Sequence, residues 1–94
     1  MIYYHGTSTN LNLYIGDLLL PPIITQNLRE DWRKKLTNKV FFTSSLMSAE
    51  RYAKKASIKF GGEPVVYIVK PIGDIWNPNI SEYVADKAKI IAVV

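Results

Sequence analysis

The sequence predicts an α+β domain with a small, mostly antiparallel split sheet and two helices. Runs of β-branched and aromatic residues recur along the chain. Two segments carry apolar residues at helical spacing. The runs and segments do not alternate in the regular strand–helix–strand order of a parallel sheet. With 94 residues, the chain suits one domain, residues 1–94, because folding at this size buries only about 60–65 % of the unfolded surface.

Taken in order, Ile2, Tyr3 and Tyr4 form a short strand, ended by the small polar run Gly6, Thr7, Ser8, Thr9 and Asn10. Residues 11–20 mix apolar side chains with a turn at Gly16 and Asp17. Pro21 and Pro22 exclude a helix interior or a central strand there. The first helix covers residues 26–36, with Leu28, Trp32 and Leu36 four apart. Val40, Phe41, Phe42 and Thr43 are a compact β-type run. The second helix follows over 46–59: Ala49, Tyr52, Ala53, Ala56 and Phe60 share one face, and Arg51, Lys54, Lys55 and Lys59 the other. Gly61 and Gly62 stop it. Residues 65–69 are the strongest strand, a short extended piece lies at 82–84, and a last strand covers 90–94.

Composition removes several classes of function. The apolar share of 48 % and charged share of 21 % are too globular for a disordered polymer. The chain has no cysteine and one histidine, which excludes a disulfide scaffold, a thiol nucleophile and a zinc ribbon, and argues against a transition-metal site built by the protein. No basic and apolar leader opens the chain, and its longest apolar run is broken by Gly16, Asp17 and two prolines. A cytoplasmic protein with no membrane partner is therefore expected. The net charge is +4, gathered around Arg29, Arg33, Lys34, Lys35 and Lys39 and around Arg51, Lys54, Lys55 and Lys59. Both clusters read first as solvated helix faces. The sharper alternative is a surface for RNA or an acidic protein, with Arg29, Arg33, Lys34, Lys54 and Lys55 as its contacts.

His5 stands where a strand meets a glycine loop, a place where binding groups collect because the scaffold holds them while the backbone stays reachable. Gly6 allows close approach to the main chain, and Thr7 and Ser8 add hydroxyls. Taken alone, one histidine beside one glycine reads better as a structural residue. The wider pattern changes that. Tyr4-His5-Gly6-Thr7-Ser8 resembles the opening motif of the ADP-ribosyltransferase superfamily. Gly16-Asp17-Leu18-Leu19-Leu20-Pro21-Pro22 is similar to the segment that follows it in rifampicin ADP-ribosyltransferases. Val40-Phe41-Phe42-Thr43-Ser44-Ser45-Leu46, with Ala49 and Tyr52, resembles their second strand and the helix after it. Val65-Val66-Tyr67-Ile68-Val69-Lys70-Pro71-Ile72-Gly73, with Pro78 and Asn79, resembles the next strand and its outgoing loop. The four blocks keep the family's order across residues 3–79.

The resemblance implies an ADP-ribosyltransferase-like fold whose substrate is NAD, with no metal. It implies that the main chain of Gly6 holds the nicotinamide amide, that His5 bonds a ribose, and that Phe41 and Tyr52 sandwich the ring, in the spacing of the poly-ADP-ribose polymerase branch. Thr7 and Ser44 complete the cofactor-binding set. His5, Phe41 and Glu82 form the catalytic set. The family's rifampicin branch carries an aspartate where this chain has Asn77, whereas Ser81-Glu82-Tyr83-Val84 fits the late-strand glutamate of other members. Glu82 is thus the expected carboxylate, stabilising positive charge at the ribose, and Asp74 a weaker substitute. Phe41 replaces the usual tyrosine and so lacks its hydroxyl. Two functions follow: transfer of ADP-ribose to a protein, nucleic-acid or small-molecule acceptor, or a lapsed transferase fold of the phage or mobile-element type that binds or inhibits a protein or RNA partner. RNA 2′-phosphotransferases share the His-Gly-Thr-Ser opening, but their further basic residues have no match at the corresponding positions.

Overall fold

The computed structural model describes residues 1–19, 39–79 and 82–94. The helix expected over 26–36, together with Pro21, Pro22, Arg29, Arg33 and Lys34, lies outside the described residues. Among those described, strands β1 (Tyr3–Ser8), β2 (Leu18–Leu19) and β3 (Val40–Phe42) precede helix α1 (Leu46–Phe60). Strands β4 (Pro64–Ile72), β5 (Trp76–Asn79), β6 (Glu82–Ala85) and β7 (Lys87–Val93) follow it. The strands form a four-stranded sheet in the order β1-β4-β7-β2 and a three-stranded sheet in the order β3-β6-β5. The pairings are antiparallel throughout. The observed class is α+β, with one α-helix among the described residues. No described helix is long and apolar enough to cross a membrane.

Several strands depart from the sequence expectation: β2 was not foreseen, β4 and β7 are longer than the expected 65–69 and 90–94, and β1 extends and β5 forms where loops were expected. β1 continues through Gly6, Thr7 and Ser8, which the polar composition assigned to a loop; across the ladder they meet Val66, Val65 and Pro64. Pairing with a strong strand overrides the weak local preference of three small residues. β5 forms where Pro78 and Asn79 suggested a loop. It is an edge strand with an irregular register against β6, and an edge tolerates a proline because one side of its backbone needs no partner.

A backbone bridge between Tyr4 and Thr43 joins the two sheets. Tyr4 N–H donates to Thr43 O at 2.6 Å, and Thr43 N–H donates to Tyr4 O at 2.9 Å. The main core draws on both sheets: Phe42 and Val40 from β3, Ala85 from β6, Tyr67 and Val69 from β4, and Ala88 and Ile90 from β7. Within it Tyr3 meets Phe42 and Tyr83 edge-on, with ring centroids 5.0 and 5.2 Å apart, an arrangement that aligns ring edges with ring faces. Helix α1 covers the opposite face of β1, burying Ala49 and Ala53 against Val66 and Tyr4.

Both ends of α1 are secured. Ser45 caps its start by accepting a hydrogen bond from Ser48 N–H at 3.2 Å, satisfying one of the orphan donors of the first turn. At its end the polar run after β1 supplies the partners. Ser8 Oγ donates to Gly61 O at 2.5 Å, Asn10 Nδ2 donates to Phe60 O at 2.9 Å, and Glu63 N–H donates to Thr9 Oγ1 at 2.9 Å. The Ser8 hydroxyl and the Asn10 amide thus tie the end of the helix to β1 and the residues after it, and the helix in turn sets the position of Tyr52.

Candidate active site

A cavity of about 200 Å³ opens where the two sheets join. Tyr4, His5 and Gly6 of β1 form one wall. Phe41 and Phe42 of β3, Tyr52 of α1 and Glu82 at the start of β6 form the others. Four elements therefore converge on one space, and five of the residues singled out from the sequence, His5, Gly6, Phe41, Tyr52 and Glu82, come together there.

The polar groups are oriented by their partners. His5 Nδ1 lies 2.9 Å from Phe41 O. A carbonyl only accepts, so Nδ1 carries the proton, and the neutral ring keeps Nε2 as an acceptor. Burial lowers the His5 pKa below its ordinary 6.5, against the smaller opposing effect of the Phe41 carbonyl, and favours that neutral ring. Tyr52 Oη donates to Glu82 Oε1 at 2.7 Å. Glu82 is buried, with 7 % of its surface exposed.

Gly6 is placed by two constraints. A Cβ on this residue would lie 1.9 Å from Ala49 O and 2.9 Å from Ala53 N, so only glycine lets α1 approach β1 this closely. The space where its side chain would be is filled by the helix backbone. Its main chain is a separate matter. Both backbone groups of Tyr4 turn away from β4 to bond Thr43, and directions repeat every second residue along a strand. Gly6, two residues on, therefore sends its N–H and C=O to the same side, where the cavity lies.

The remaining expected residues sit elsewhere. Thr7 is buried, with 3 % exposed, and is not part of the cavity wall. Ser44 is exposed between β3 and α1 and also stands off the wall. Asn77 and Asp74 are exposed and outside it. Lys54 and Lys55 are exposed on α1, and Lys54 borders a second groove with Glu50, Val65 and Val94. Tyr4 and Phe42 line the cavity but were not singled out from the sequence. The two-residue period that pairs Tyr4 with Gly6 on one face of β1 was the available signal for Tyr4; Phe42 had none, since its neighbour Phe41 has the same side chain. Among the described residues, no group of three or more His, Asp or Glu side chains gathers as metal ligands would.

Comparison with known proteins agrees with the four-block resemblance. No curated protein matches the chain. The family model of the rifampin ADP-ribosyl transferases matches residues 3–87, a span that takes in every element from β1 to the start of β7 and all the cavity-lining residues. With nearly the whole chain matched, this protein belongs to the rifampin ADP-ribosyl transferase family.

Proposed function

We propose that this protein is an NAD-dependent ADP-ribosyltransferase and that its acceptor is a small molecule of the rifampin type. The observation that carries the proposal is the convergence of His5, Gly6, Phe41, Tyr52 and Glu82 on one cavity in a chain whose family is defined by this transfer. A volume of about 200 Å³ falls below the roughly 300–1,000 Å³ that encloses a drug-sized ligand. It suits a ring the size of nicotinamide, with the rest of the dinucleotide outside. Flat aromatic faces at Phe41 and Tyr52 fit a pyridinium ring. The Gly6 N–H and C=O together match the acceptor and donor of a carboxamide. His5 Nε2 accepts from a ribose hydroxyl.

The chemistry asked of the chain is modest. Glu82 faces the region where positive charge grows on the ribose as nicotinamide departs, and a fixed negative group there lowers the barrier because it needs no rearrangement at that moment. Glu82 takes the role because Asn77, at the family's aspartate position, carries no charge and lies outside the cavity wall. A second function, a lapsed site in a binding protein, is favoured by Phe41 and Asn77, which depart from the family pattern.

Titrating NAD into the purified protein, with and without rifampin, separates the two. Saturable binding with nicotinamide release and rifampin modification is the expected result; binding without release would indicate the lapsed site. Glu82→Gln should lower turnover by about 10²-fold or more, the loss typical of one electrostatic stabiliser, while NAD affinity stays within about twofold. Full turnover in that variant would take Glu82 out of the mechanism.

A further inference from the structure

Stacking on a flat ring requires an aromatic face and no hydroxyl, and Phe41 supplies one without the other. Tyr52 has both. Its hydroxyl is directed along the cavity wall to Glu82 Oε1, a partner 30 residues away in sequence, at 2.7 Å. Glu82 is the first residue of β6, and a glutamate side chain has several rotamers open to it. A phenol bonded to one carboxyl oxygen selects among them, and the donor is itself held by α1, a helix tied down at both ends.

We infer that Tyr52 is a positioning residue whose hydroxyl holds the Glu82 carboxyl group in the orientation that faces the ribose of NAD. This rests on the NAD-site function proposed above and adds a role for the hydroxyl to that of the ring. No bond to Tyr52 forms or breaks: the phenol keeps its proton, and only the direction of the carboxyl group depends on it. The arrangement also accounts for how the site works with phenylalanine at position 41, since the one hydroxyl of the aromatic pair lies on the side where the carboxylate needs it.

The test is Tyr52→Phe in the full chain, which keeps the stacking face. Nicotinamide release should show kcat lowered by about tenfold or more, the scale of a hydrogen bond to a charged group. The Kd for NAD should stay within about twofold. Thermal unfolding supplies a readout independent of turnover: Tyr52→Phe should lower Tm in the wild-type background and leave it unchanged when Glu82 is already alanine. A wild-type kcat in Tyr52→Phe, or the same Tm loss in both backgrounds, overturns the positioning role while leaving the NAD site standing. A wild-type protein that binds no NAD removes the site itself, and this role with it.

Discussion

His5 donates its Nδ1 proton to the Phe41 carbonyl and is pushed below its ordinary pKa by burial, so its protonation is coupled to folding. The unfolded chain takes up a proton near pH 6.5, and the folded chain only at lower pH. Between those points the unfolded state binds more protons, so stability rises with pH through the window and is fully present above about pH 6.5. It is lost as pH falls towards the folded value. Because this is the only histidine in the chain, and histidine is the side chain whose ordinary pKa lies between pH 5 and 8, the effect is separable. His5→Asn, whose amide can still donate to Phe41 O, should flatten Tm between pH 7 and 5 relative to wild type. Parallel Tm curves for the two proteins would show that His5 is not desolvated as described.

At the scale of elements, the contact of α1 with β1 determines whether the cavity exists. Gly6→Ala places a methyl group against the main chain of Ala49, 1.9 Å from its carbonyl oxygen, and backbone cannot move aside as a flexible side chain can. Helix and strand must separate, at a cost of about 1–3 kcal/mol or more, and the displacement carries Tyr52 away from Glu82. Chemical denaturation should show the loss, with NAD affinity falling alongside it. An alanine variant as stable as wild type would mean that α1 does not sit against β1 at this distance. The same contact explains why Ala49 and Ala53 face the strand: larger side chains would hold the helix off.

At the scale of the whole molecule, the described residues form two sheets joined by a shared core and by the pair of hydrogen bonds between Tyr4 and Thr43, with α1 packed on β1. The cavity lies beside that junction, with its walls supplied from both sides. Thr43→Pro removes the N–H that bonds Tyr4 O and should lower NAD affinity by about tenfold, roughly the cost of losing one hydrogen bond, together with a lower Tm. Thr43→Val keeps the backbone bridge while losing the Oγ1 that accepts from Ser45 N–H, and should bind NAD nearly as wild type does. Equal affinity in the proline variant and wild type, measured by calorimetry, would show that the bridge does not align the halves.

The fold class, the strands at Val40–Phe42 and Glu82–Ala85, and helix Leu46–Phe60 to within a residue or two were legible in the sequence, because hydrophobic period is a local property. The motif around His5 and Gly6, the aromatic pair and Glu82 were legible through a family pattern in the chain. Tertiary structure decided the rest. It extended β1 through three loop-like residues, because β4 offered a ladder to pair with. It turned Ser8 and Asn10 to the end of α1, because the helix leaves carbonyls there that need donors. It brought the Tyr52 hydroxyl to Glu82, a contact between residues 30 apart that no local pattern encodes, since it depends on where a helix and a strand from different parts of the chain come to rest.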